Sequence, residues 1–315
     1  MKTCMTFAGL TTAILMTACE MEVVHNHHIN LDELAGDMKV VTAELAEGAS
    51  RTVLTDKTGG GKTLLWSKGD RILVTDGTKQ AVFTTETDGK AVADFVNDNS
   101  GLSLTAAQYT AYYPETLSPA ALTLPAVQTY VPDGMNGFPM MAVSESGQFS
   151  FRNLCGVLCL RMKTNGGYGI ETGEIRLASP DCGLSGTFRV EDYKAVVTGD
   201  NVGLTLDCGE GVALSEDDYT DFYLYLPDGS YEKLYLTIAD TEGAEIRLES
   251  RGTITVKRSS ITQVALVLDT ARYNGSLEDL PVIDDGTGFT VLPSDTGSSS
   301  GMLAVTDDDV DMTAR

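Results

Sequence analysis

Apolar and polar residues alternate along most of this chain with a period of two, the spacing of strands that bury one face. Val41, Ala43 and Leu45 share one side of residues 39–45, which predicts a short half-buried strand. Residues 64–66 and 71–75 flank the turn Ser67-Lys68-Gly69-Asp70 and predict a hairpin. Across residues 153–163, Leu154, Leu158, Leu160 and Met162 fall on one face while Arg161 and Lys163 fall on the other, the pattern of one strand. Phe222, Leu224 and Leu226 alternate with Tyr223 and Tyr225, and Leu234, Leu236 and Ile238 alternate with Tyr235 and Thr237. Ile246 and Leu248 stand between Glu245, Arg247 and Glu249 in the same way. Turn sequences such as Pro227-Asp228-Gly229 and Thr241-Glu242-Gly243 separate the runs, and no amphipathic helical period is sustained between residues 52 and 270.

This pattern predicts an all-β protein built as two tandem antiparallel β-sandwich domains of the transthyretin- or immunoglobulin-like Greek-key type, each sheet with one wet face. A break at Thr164-Asn165-Gly166-Gly167 divides the folded part into an N-terminal domain, residues 52–165, and a C-terminal domain, residues 166–271. Each piece is close to the ~100 residues of a seven-stranded sandwich. Residues 272–315 change character, with an acidic, turn-rich linker and then two short apolar runs, residues 289–293 and 302–306. From Asn274 onward nine acidic residues face one basic residue, 1 − 9 = −8, which predicts a solvated, flexible tail.

The beginning of the chain is read as a targeting segment. Lys2, an apolar stretch over residues 5–16 and Met16-Thr17-Ala18-Cys19 predict a lipoprotein signal peptide, residues 1–18, with Cys19 acylated as the first mature residue. The alternative is an ordinary cleaved secretory signal with an incidental cysteine, against which stand the small residues before Cys19 and the polar stretch directly after it. Several acyl chains on Cys19 would anchor the protein firmly, since each buried methylene contributes ~0.8 kcal/mol. Residues 19–51 are then a polar tether followed by the first strand, and Glu47-Gly48-Ala49-Ser50-Arg51 is a small-residue loop of the composition that proteases cut.

Charge and chemistry narrow the function. The 315 residues carry a net charge of −23, from 45 acidic against 22 basic residues, the wrong sign for a nucleic-acid partner. All three histidines, His25, His27 and His28, lie in the tether, so the folded part has no imidazole for a Ser-His-Asp, Cys-His or histidine-zinc site. No catalytic residue, metal site or cofactor is therefore expected. Gly59-Gly60-Gly61-Lys62-Thr63 has Asp56 where a phosphate-binding loop needs glycine, and reads as a hairpin loop. Met312 stands where a calcium loop beginning at Asp307 needs glycine. Glu216, Asp217, Asp218 and Asp221 leave a carboxylate glycosidase open as a third reading, and the tyrosines from Tyr219 to Tyr235 either stack on sugar or merely cover a sheet. Cys155 and Cys159 are ~13 Å apart along a strand, beyond the ~7 Å a disulfide spans. Cys182 and Cys208 pair or stay free; buried free thiols are the preferred reading for all four.

Arg51-Thr52-Val53-Leu54, followed by Leu65-Trp66-Ser67-Lys68-Gly69-Asp70-Arg71-Ile72, resembles the opening of fimbrillin-like proteins, Mfa-like fimbrium subunits of the Bacteroidales. Phe138-Pro139-Met140-Met141-Ala142 and the closing run from Lys257-Arg258 to Val264-Ala265-Leu266 are similar to later segments of that family, and together these cover about residues 51–269. The resemblance implies a surface-exposed outer-membrane lipoprotein that is cut after an arginine, here Arg51, and loses its first strand. A C-terminal strand of a neighbouring subunit then fills the groove. Candidates for that donor are Phe289, Val291 and Leu292 in one run and Met302, Leu303 and Val305 in the other. Its partners would be other fimbrial subunits, in a homo- or hetero-polymer. The alternative is a non-polymerising surface lipoprotein, a fimbrial anchor or tip adhesin, that binds a host glycan or protein.

Overall fold

The computed structural model describes residues 37–45, 53–55, 61–132, 134–199, 203–270, 282–284 and 289–291. Among them there is no α-helix. The chain opens with β1 (Val40–Leu45), β2 (Val53–Thr55), β3 (Gly61–Thr63), β4 (Arg71–Thr75), β5 (Gln80–Thr85), β6 (Val92–Val96) and β7 (Tyr109–Tyr113). It continues with β8 (Thr123–Leu124), β9 (Val127–Val131), β10 (Gly134–Met135), β11 (Met140–Ser144), β12 (Gln148–Asn153) and β13 (Gly156–Asn165). Then come β14 (Ile170–Ala178), β15 (Gly186–Glu191), β16 (Lys194–Val197), β17 (Leu204–Leu214), β18 (Thr220–Leu226) and β19 (Gly229–Tyr231). The last six are β20 (Tyr235–Asp240), β21 (Glu245–Ser250), β22 (Ile254–Val256), β23 (Ile261–Asp269), β24 (Val282–Asp284) and β25 (Phe289–Val291).

The first half differs from the expected open sandwich. Its strands form a closed barrel in the order β1-β12-β11-β7-β4-β5-β6, returning to β1. Alternation specifies which residues face inward but not whether the sheet closes, and closure here depends on one strand pairing on both sides. The expected hairpin across Ser67–Asp70 also does not form: β4 pairs with β5, and Trp66 bridges to Lys90 instead. Asp70 explains the turn, accepting the Ser67 N–H at 2.8 Å. By contrast β2 and β3 do pair as the Gly59–Thr63 reading requires, with residues 56–60 between them.

The second half holds a seven-stranded sheet, β10-β9-β17-β14-β20-β21-β25, and a four-stranded sheet, β18-β13-β23-β24. Leu160, Phe222 and Leu266 from the smaller sheet share one apolar core with Ile175, Leu236, Ile246 and Phe289 from the larger. At about 1.5–3 kcal/mol for each large side chain removed from water, this shared core is the main force holding the two sheets together. Gly156 is required where β13 begins, because a Cβ there would lie 2.2 Å from the Lys257 carbonyl oxygen.

Residues 153–163 are not a single strand. β12 ends in the barrel at Asn153, the chain crosses at Leu154 and Cys155, and β13 joins the second half by pairing with β18 and β23. Its two faces then serve different cores. Leu158, Leu160 and Met162 belong to the second, while Val157 and Cys159 belong to the first, together with Tyr223, Tyr225 and Ile261. The wet face expected at Tyr223 and Tyr225 is therefore dry, with the two residues 5% and 4% exposed. Phe138 meets the Tyr225 ring edge-on at 5.8 Å, and the Tyr223 hydroxyl donates to Asp221 at 3.0 Å.

Candidate functional site

The feature that points to function is the place of β1. It lies between β6, to which it is antiparallel, and β12, to which it is parallel. The parallel ladder runs from Thr42 opposite Gln148 to Leu45 opposite Phe151, so β1 meets a strand that follows it by about a hundred residues. Val41, Ala43 and Leu45 point into the barrel and are buried, as their alternation predicted. Thr42 faces outward and donates its hydroxyl to Asp94 at 2.8 Å.

Polar contacts extend along both ends of the strand. The Met38 N–H donates to the Leu102 carbonyl at 3.1 Å, the Asn97 N–H to the Lys39 carbonyl at 2.9 Å, and the Leu45 N–H to the Ala91 carbonyl at 2.8 Å. The Ser100 hydroxyl donates to the Met38 carbonyl. Trp66 is the contact at the centre. Its indole N–H donates to the Ala43 carbonyl at 3.1 Å, and its ring meets Phe95, Tyr113 and Phe151 edge-on at 5.0, 5.3 and 5.4 Å.

Beside Leu45, at the end from which the chain leaves β1, lies a cavity of about 240 Å³ lined among others by Trp66, Tyr113, Met135, Phe138 and Met140. The Tyr113 hydroxyl donates to Asp70 at 3.0 Å at its wall. Burial first, and the Asp70 carboxylate second, push that phenol far above its ordinary range. The barrel thus has an interior strand paired on both sides, a dry interior behind it and a partly open end.

Of the other residues singled out from the sequence, Cys19, Arg51, Leu292, Met302, Leu303 and Val305 lie outside the described residues, as do His25, His27, His28 and residues 307–311. Phe289 is fully buried in the second core, and β25 pairs antiparallel with β21, Phe289 opposite Ser250 and Val291 opposite Leu248. The first apolar run of the tail is thus engaged in the chain's own sheet. Cys155, Cys159, Cys182 and Cys208 form no disulfide; the first two and Cys208 are buried and Cys182 is half-buried, so Cys182 and Cys208 do not pair. Burial pushes the Cys208 thiol up to about 12, with Asp207 adding to it.

Two members of the acidic cluster make structural contacts. Glu216 accepts the N–H groups of Gly166 and Gly167, and Asp221 pairs with Arg161 at 2.8 Å. Tyr219 lies under Arg161 and Lys163, at 5.4 and 5.0 Å from its ring centre. One residue the sequence did not mark is Gln128. Buried between the sheets, its side-chain amide donates to the Tyr225 carbonyl at 2.9 Å and accepts the Tyr225 N–H at 3.1 Å, as a neighbouring strand would. A glutamine in a strand carries no signal of that role.

No family model matches the chain, and no curated protein matches it in sequence. Among solved structures it is similar to a candidate cell adhesion protein of Bacteroides ovatus, at 13% identity and a TM-score of 0.46, over 74% of this chain and 93% of that one. A candidate cell adhesion protein of Bacteroides uniformis is similar at 15% identity and a TM-score of 0.43, over 81% and 96%. The tip fimbrial protein Mfa3 of Porphyromonas gingivalis, truncated at its C-terminus, is similar at 8% identity and a TM-score of 0.29, over 81% and 99%.

Proposed function

We propose that the chain is a structural subunit of a bacterial cell-surface fimbria, exported as a lipoprotein on Cys19, cut after Arg51 and polymerised by strand exchange. The observation that carries the proposal is that β1, which ends six residues before Arg51, is an interior strand of the barrel. Removing it opens the ladder edges of β6 and β12, leaves the Trp66 indole without its acceptor and uncovers the space held by Val41, Ala43 and Leu45. Unpaired edges and a dry slot recruit another strand, and reburying the two larger side chains contributes about 1.5–3 kcal/mol each. Because β25 already serves the chain's own sheet, the run containing Met302, Leu303 and Val305 is the donor in this proposal.

The test is made on protein from the native cell. A mature N-terminus at Thr52 and a ladder of polymers are expected, with the ladder lost when residues 301–315 are deleted. Polymers that persist after that deletion would remove the donor role. A second reading is favoured by the fact that the barrel is complete with β1 in place: a non-polymerising lipoprotein, anchoring a fimbria or binding a host glycan or protein at its tip. Acylated Cys19 on a monomer, with Arg51 uncut, is its signature.

A further inference from the structure

The cavity beside Leu45 has a chemistry that assembly does not use. Its wall is mostly apolar, with Leu45, Met140 and the rings of Trp66, Tyr113 and Phe138. Among the described residues that line it, Asp70 is the one that carries a charge. At about 240 Å³ the space is below the ~300–1,000 Å³ of sites that bury a drug-sized molecule, so it suits a ligand no larger than one long side chain.

The Asp70 carboxylate is hydrogen-bonded but not neutralised. Its Oδ1 accepts the Tyr113 hydroxyl at 3.0 Å and its Oδ2 accepts the Ser67 N–H at 2.8 Å, and both donors are uncharged. Burial keeps the Tyr113 phenol protonated, so it stays a donor and adds no charge of its own. An ionised carboxylate offers about four acceptor positions, which leaves about one open on each oxygen. The cations that flank Asp70 are engaged elsewhere: Lys68 pairs with Glu86 at 2.7 Å and Arg71 with Glu115 at 3.0 Å.

A metal ion does not match this site. Hard cations take several oxygen ligands, and no group of three or more acidic, histidine or cysteine side chains placed to hold a metal occurs among the described residues. A planar organic cation on a methylene stem does match. The stem lies against the rings and Met140, and two parallel N–H groups meet one open position on each Asp70 oxygen, the two-pronged contact that guanidinium makes with carboxylate.

We infer that this cavity binds an alkylguanidinium group, with Asp70 holding the head. A free organic cation and the arginine side chain of another protein share that chemistry. Leu45 forms part of the wall, so the site belongs to the chain with β1 in place, and it stands whether or not strands are exchanged.

The test uses the full, uncut chain and two probes with the same stem and head shape, butylguanidinium and the neutral butylurea. Trp66 is the sole tryptophan, so its single indole N–H resonance reports on this cavity. Butylguanidinium should shift that resonance saturably and bind about tenfold or more tightly than butylurea, the margin of a hydrogen bond to a charged group. Equal affinities, or no saturable shift, would overturn the inference. Asp70→Asn keeps the size of the side chain and should bring the two probes within about twofold of each other. It changes a net charge of −23 by one, so a preference that survives it comes from the general field of the protein and overturns the role of Asp70. Should that variant fail to fold, the two probes on the parent chain still decide. N-acetyl-arginine amide binding as tightly as butylguanidinium identifies a protein side chain as the ligand; binding about tenfold more weakly identifies a free cation.

Discussion

Trp66 is where the barrel is most exposed to a single change, because one side chain closes the aromatic cluster and holds the β1 backbone. Trp66→Ala should lower stability by about 3–5 kcal/mol, read as a fall in the urea midpoint. A change within experimental error would show that the cluster repacks around the gap. Asp228 is a residue of a different kind. Burial raises its carboxyl, but the Arg258 N–H at 2.8 Å and Lys194 at 3.0 Å outweigh this and hold it below its ordinary value. A carboxylate depressed in the folded state stabilises at pH above the ordinary value and loses that contribution as pH falls through the depressed one. Asp228→Asn should thus be less stable than the parent at about pH 7 and converge with it once pH falls below the depressed value, measured by chemical denaturation. A gap independent of pH would assign Asp228 no electrostatic role.

At the scale of the element, β1 was legible in part. The alternation of Val41, Ala43 and Leu45 identified both the strand and its buried face. Its partners were not legible, because β12 is distant in sequence and nothing local encodes a parallel ladder. Tyr223 and Tyr225 show the converse. Their alternation with Phe222 and Leu224 marked two faces correctly, but a tyrosine suits a wet face and a dry one alike, and the first core covers them here. The crossing at Leu154 and Cys155 escaped because the apolar period runs straight through it, although Asn153 and Gly156 bracket it. In the proposed site the sequence marked the ingredients, while Trp66 as the floor under Ala43 emerged only with the fold. One consequence is measurable. Trp66 is the sole tryptophan and is buried behind β1, so cutting after Arg51 and removing the freed segment should shift its emission to the red. Unchanged emission after verified loss of that segment would mean β1 is not what shields it.

For the chain from residue 36 onward, two apolar cores do not amount to two independent folding units. β13 gives Val157 and Cys159 to one core and Leu158, Leu160 and Met162 to the other, so neither can dissolve without stripping one face of the same strand. Urea unfolding should therefore appear as a single transition, with tryptophan emission from the barrel and far-ultraviolet ellipticity from the whole superimposing. Two separated midpoints would show that the shared strand does not couple the halves.

Gln128 carries a last consequence. By occupying the outer hydrogen-bonding groups of Tyr225, its amide shuts part of the margin of β18 against any visiting backbone. If the proposed route opens the β1 seam while this stretch stays shut, newcomers have one place to join, and growth yields threads and not clumps.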